Sequence, residues 1–283
     1  MKKAVLILAL MLTSGLTFAQ DTPVAAAPEV AESKFTAAVD VVYPYLWRGI
    51  KLNNDKVAFQ PYVSYALTDK LTIGAWGTTN LSGARDAYSE FDWYVSYQLS
   101  PIVKVMLSDY YYNGTKKGNE FEPSLFIRNK YWKYDENSPH VMDLSVLLDF
   151  SDKGVPLDFQ WNTLIGGNDF KYDANDTKSR AFSTYAEIGY SHSIESIGID
   201  LRAFVGAAVI NENGYYGVHR NGKPGFSFTN VGLNVSKSIK MSETFSLPIF
   251  IRYTYNEDVE TSNVFDNKVQ NHFISGGMTF TIK

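Results

Sequence analysis

From residue 35 to 49 the side chains alternate, with Phe35, Ala37, Val39, Val41, Tyr43, Tyr45 and Trp47 on one side and Thr36, Asp40 and Arg48 among those on the other. A period of two is the period of a β-strand, so one face is apolar and the other polar. The same alternation returns at 58–67, 71–79, 88–99, 102–112, 141–150, 157–166, 180–191, 197–209, 226–238, 244–255 and 269–282. At 91–99, for example, Phe91, Trp93, Val95, Tyr97 and Leu99 oppose Asp92, Tyr94, Ser96 and Gln98. Connections alternate between tight ones, such as 68–70 and 100–101, and long ones, such as 113–140 and 210–225. That rhythm predicts an all-β fold: a transmembrane antiparallel up-and-down β-barrel of about 12 strands, with short turns in the periplasm, long loops outside and both termini periplasmic. At about 4.7 Å between strands and a tilt of about 40°, such a barrel is roughly 24 Å across its backbone.

Residues 1–19 begin with Lys2 and Lys3, continue in a short apolar run and end on small residues, which predicts a signal peptide and export to the bacterial outer membrane of a Gram-negative envelope. The Ala/Pro/Glu-rich stretch 20–34 reads as a periplasmic linker, and 35–283 as the barrel. No later run approaches the roughly 20 apolar residues that a spanning helix needs. The mean hydropathy of −0.18 fits strands that carry apolar side chains at alternate positions. Lys2 and Lys3 leave with the leader, taking the net charge from −4 to −6 and disfavouring nucleic acid as a partner. The absence of cysteine excludes disulfides, thiolate metal sites and a lipoprotein anchor.

Strand parity gives the candidate chemistry. A charge facing lipid at the midplane costs about 2 to 4 kcal/mol, so the charged positions are assigned to the lumen: Asp40, Glu90, Asp92, Asp143, Asp149, Asp158, Glu187 and Asp200 against Arg48, Lys104, Arg202 and Arg252. The acidic excess predicts either a water-filled lumen that weakly favours cations or a paired network bracing a narrow barrel. A plug formed by 113–140 fits the same dimensions. Asp109 breaks parity, since it shares a face with Val103, Val105 and Leu107; a position above the bilayer or a bulge would account for it. Tyr43, Tyr45, Trp47, Trp93 and Trp161 are expected at the membrane interface as anchors.

The four histidines, His140, His192, His219 and His272, have no metal-ligand spacing and read as exposed or interfacial. Neither a phosphate loop nor a calcium loop is present, so no cofactor and no metal are expected. The partners expected are outer-membrane lipids, the barrel-assembly machinery and small hydrophilic solutes diffusing passively. A non-enzymatic channel leads; a non-conducting adhesin or structural barrel is the alternative, followed by a lipid hydrolase using His272 and a serine.

The opening Asp40-Val-Val-x-x-Tyr45-x-Trp47-Arg48-Gly49, followed by Gln60-Pro61, resembles that of the TorF family, conserved outer-membrane β-barrel proteins labelled as porins. The likeness continues through 156–166, 229–233 and 245–248. The resemblance implies an outer-membrane porin without a defined substrate. Phe280 stands fourth from the end, whereas barrel-assembly signals finish on an aromatic residue.

Overall fold

The computed structural model describes residues 34–53, 56–81, 89–112, 115–117, 120–122, 131–134, 138–219, 221–243, 245–257 and 270–282. The expected leader, and all of the expected linker but Lys34, lie outside them. Twelve strands form a closed antiparallel barrel in which each pairs with its chain neighbours. They are β1 (Phe35–Tyr43), β2 (Ala58–Ala66), β3 (Leu71–Thr79), β4 (Ser89–Gln98), β5 (Val103–Tyr112), β6 (His140–Asp149), β7 (Leu157–Gly167), β8 (Thr184–Ile194), β9 (Ile199–Ile210), β10 (Ser227–Lys240), β11 (Ser246–Tyr255) and β12 (His272–Ile282). Pairing of β1 with β12, Ala37 to Ile282 through Tyr43 to Gly276, closes the ring and leaves no sheet edge. Among the described residues, no helix is long and apolar enough to cross a membrane.

Burial follows the alternation. On β4, Glu90, Asp92, Tyr94 and Ser96 are buried, while Phe91 and Tyr97 are exposed on the outer wall. On β11, Phe250, Arg252 and Thr254 face inward and Ile251 and Tyr253 outward. The tight turns are made by short side chains that bond the backbone just ahead. Thr68 Oγ1 accepts from the Lys70 and Leu71 amides (3.2 and 3.0 Å), Ser100 Oγ from Ile102 and Val103 (3.3 and 3.1 Å), and Asp149 Oδ1 from Ser151 (2.9 Å).

The pattern fails in two places. The strand expected to run to residue 49 stops at Tyr43, and the segment expected to enter β8 at 180 instead pairs Lys178–Arg180 with Phe170–Tyr172 in a separate hairpin over the barrel mouth. In the first case residues 44–53 turn into the barrel. Leu46–Trp47 pairs with Ile50–Lys51 across a two-residue turn at Arg48 and Gly49, whose φ values are +48° and +80°. Positive φ at both central residues is the condition of a type I′ hairpin. A β-carbon at position 49 would lie 1.7 Å from the Thr229 carbonyl oxygen on β10, so only glycine lets the tip rest on that wall.

Candidate functional site

The inserted hairpin crosses the lumen. Its tip is held just after β11 by Asn256 Nδ2, which donates to the Gly49 carbonyl (3.0 Å), and its base by Asn53 Oδ1, which accepts from the Tyr45 amide (2.8 Å). From the tip, Arg48 Nη2 reaches Asp143 Oδ2 on β6 at 2.6 Å and Nη1 donates to Tyr216 Oη at 2.6 Å. Both ionic partners are buried, Arg48 to 3% exposure and Asp143 to 0%. The guanidinium lies over the rings of Trp47 (4.6 Å), Tyr185 (5.1 Å) and Tyr216 (5.8 Å). A cation over aromatic faces away from water gains about 2 kcal/mol, which offsets the roughly 1 to 3 kcal/mol of holding a non-glycine residue at positive φ. Lys51, from the same hairpin, is also buried.

The other half of the closure is the connection after β9. Asn211 clamps it, donating from Nδ2 to the Gly217 carbonyl (2.7 Å) and accepting at Oδ1 from the Tyr216 amide (3.0 Å). Asp169, fully buried, ties it to the hairpin beside it by accepting from Asn213 Nδ2 (2.8 Å), the Ser183 hydroxyl (2.6 Å) and the Ser183 amide (3.0 Å). These bonds turn Tyr216 down onto Trp47, with ring centroids 5.8 Å apart and planes 21° apart. Tyr110 meets Trp47 edge-on at 5.9 Å, and Tyr215 and Tyr112 share a hydroxyl contact of 3.1 Å. The result is an aromatic layer around one guanidinium, with Val42, Leu164, Ala208 and Phe250 in the same packed cluster.

Bulges interrupt the wall beside this layer. The pairing register shifts between Met142 and Asp143, between Thr184 and Tyr185, and between Gly206 and Ala208. An extra residue bends the strand that carries it; here the extra residues, Ile165 on β7 and Val209 on β9, lie opposite Asp143 and Tyr185, which keep the inward parity of their own strands. Elsewhere the wall side chains lie flat. Tyr94, Tyr185, Phe204 and Phe250 rest on the bare backbone of Gly74, Gly206, Gly232 and Gly277, where an added β-carbon would come within 2.0–2.7 Å of the ring or its hydroxyl.

The twelve charged positions do not share one environment. Arg48 and Asp143 make the constriction. Arg202 forms a fork with Asp158 (3.0 and 2.5 Å) and bonds Glu187 (3.0 Å), while Arg252 lies 4.2 Å over Phe204 and donates to Asn230 (3.2 Å). Asp40 accepts from Thr279 Oγ1 (2.6 Å), and Lys104 is faced by Asp149. Glu90 and Asp92 sit together beside Tyr45, whose hydroxyl is 3.5 Å from Glu90. Asp200 lies at a turn-proximal strand start, where it accepts from Ser193 Oγ (2.5 Å).

Several expectations are corrected. Tyr45 and Trp47 are not interfacial anchors: they are 2% and 5% exposed inside the barrel, because the chain folds inward after Tyr43. Tyr43 and Trp161 do stand on the outer wall, and Trp93 is half-buried there. Asp109 keeps its outward parity, with unbroken pairing between β4 and β5, so neither a bulge nor open water accounts for it. Residues 131–134 cover it from outside. Its carboxylate accepts from Trp93 Nε1 (2.9 Å) and Tyr134 Oη (3.0 Å) and pairs with His140 Nδ1 at 2.9 Å. His140 is therefore buried, packed among Tyr111, Tyr131 and Tyr134. His272, the hydrolase candidate, bonds Tyr253 Oη at 2.7 Å through Nδ1 on the outer face. Among the described residues, the connections that enter the barrel and pack on its wall are 44–53 and the one after β9; most of 113–140, the expected plug, lies outside the described residues.

The solved structures to which the chain is similar are outer-membrane channels. The NanC porin is 10% identical with a TM-score of 0.46, over 87% of this chain and 99% of that one. An outer membrane channel from Pseudomonas putida F1 is 11% identical with a TM-score of 0.42, over 91% and 99%. OprD from Pseudomonas aeruginosa is 14% identical with a TM-score of 0.34, over 90% and 68%. A comparison with curated protein sequences gives no match. None of these findings carries the name TorF. A family model described as "Bacterial protein of unknown function (Gcw_chp)" matches residues 26–196, more than half of the chain, and the chain belongs to that family.

Proposed function

We propose that this protein is an outer-membrane channel for passive diffusion of small hydrophilic solutes, closed at rest by the hairpin that carries Arg48. One observation carries the reading: among the described residues, two connections, 44–53 and the one after β9, enter the barrel and pack on wall side chains such as Tyr110, Tyr185 and Phe250, while inward rings of the wall itself lie against glycine backbone. A barrel braced for strength alone needs no hairpin inserted between its strands. Here the wall leaves a polar bore, and the filling is attached through side-chain bonds that can be released. The protein is exported and inserted among outer-membrane lipids by the assembly machinery, and acts as a channel rather than an enzyme.

Selectivity is weakly cationic. Arg202 faces Asp158 and Glu187, and Arg48 faces Asp143, and across the inward positions acids outnumber bases. The test is conductance in planar bilayers. Wild-type protein should open rarely, and a variant with residues 45–52 replaced by a Gly/Ser linker should give larger, long-lived steps. A variant that folds, as judged by heat-modifiable gel migration, yet never conducts would overturn the proposal.

A further inference from the structure

We infer that the pocket around Arg48 is a recognition site for solutes bearing a guanidinium group, which the protein's own arginine occupies in the closed state; the inference rests on the channel reading above. The pocket is built by the wall and the loop rather than by the hairpin. Asp143, from β6, offers a carboxylate whose other contacts come from Tyr110 Oη (3.1 Å) and Ser145 Oγ (3.2 Å). Tyr216 adds a hydroxyl at 2.6 Å, and Tyr185 a ring face at 5.1 Å. A planar cation with several N–H donors is matched by that set: one acidic oxygen, one hydroxyl oxygen and aromatic faces.

The surroundings favour a cation over an anion. Glu90 and Asp92 act on Tyr45, and Asp92 and Asp143 on Tyr110, so three carboxylates border the aromatic layer. The hairpin answers them with Arg48 and Lys51, both buried. It enters as a tethered basic ligand would enter an acidic channel. A tethered group competes at an effective concentration of about millimolar or above, so a free guanidinium solute must displace it. Displacement frees the hairpin tip from β6, and the path opens beneath a solute that has taken its place.

The experiment uses the full chain, with guanidinium chloride as probe and tetramethylammonium chloride as the control cation. Arg48→Gly empties the pocket while keeping the turn, because glycine accepts the φ of +48° at that position; Arg48→Asn, which also tolerates it, is the second variant should the first not fold. In bilayers, guanidinium should reduce the current of the variant by occupying the emptied pocket, and should raise the open fraction of wild type only at concentrations about tenfold or more higher, where it must displace the tethered group. Tetramethylammonium should not, and adding Asp143→Asn should remove the effect. Equal sensitivity to both cations in a conducting variant overturns the inference and leaves the channel standing. If the folded variant passes no current, the channel reading falls. The pocket is then judged by Trp47 emission, read against Trp47→Phe: a saturable change with guanidinium supports the site, and none overturns it.

Discussion

Asp143→Ala is the sharpest perturbation of the closure, because it strands a buried cation that sits on a movable element. Removing one partner of a buried ion pair costs about 3 to 5 kcal/mol, mostly through the uncompensated charge that remains. Arg48 has an escape from that cost, since residues 44–53 are joined to the strands at both ends and can lift out of the bore. The penalty therefore falls on the closed state and not on the barrel. Tyr110 also loses an acceptor at 3.1 Å, a loss of about 1 to 3 kcal/mol, but it is felt whether the hairpin is in or out. At 1.4 kcal/mol per factor of ten, the ratio of open to closed should rise by about two to four powers of ten until the channel is open nearly all the time. Single-channel recording measures that ratio directly, with heat-modifiable migration confirming the fold. A folded Asp143→Ala protein with the closed fraction of wild type would refute the argument that this ion pair holds the hairpin.

Gly49→Ala should give the same open phenotype without touching a charge, because its β-carbon would lie 1.7 Å from the Thr229 carbonyl and the tip could not dock; unchanged gating would mean that the tip is not seated on β10. On the outer wall, Asp109→Leu should destabilise the folded barrel in urea by about 1 to 3 kcal/mol, since His140, Trp93 and Tyr134 lose their buried acceptor, and Asp109→Leu with His140→Leu should recover the His140 share of it. A double variant as unstable as the single one would place the cost elsewhere. Asp92→Asn should move the low-salt reversal potential toward neutrality, an effect that fades as the screening length falls from about 30 Å at 0.01 M to about 3 Å at 1 M. Asp200→Asn should leave it nearly unmoved, because Asp200 lies by a turn and is bonded to Ser193; equal shifts would show that the bore is not narrowest near Glu90 and Asp92.

Strand count, pairing order and the inward or outward alternation along the barrel strands were legible in the sequence, because they depend only on a period of two and on connection lengths. A one-residue slip would turn Phe91, Trp93 and Val95 inward with Asp92 out, so the alternation leaves one register. That same local rule could not see the closure. Tyr45 and Trp47 continue the alternation of β1, yet they belong to a hairpin whose turn depends on Gly49 meeting β10 nearly two hundred residues later. Asp143 is inward by parity, but that it meets Arg48, and that Tyr185 lies under the same guanidinium, depends on the inserted hairpin and leaves no mark in either strand alone. Asp109 and His140 were read as a parity fault and a surface histidine, when each is the other's partner beneath a covering segment. Periodicity is a property of neighbours in sequence, and so the sequence determined the wall; which groups meet across a lumen or over an outer face is a matter of chain ends brought together at long range, and only the tertiary structure decided that.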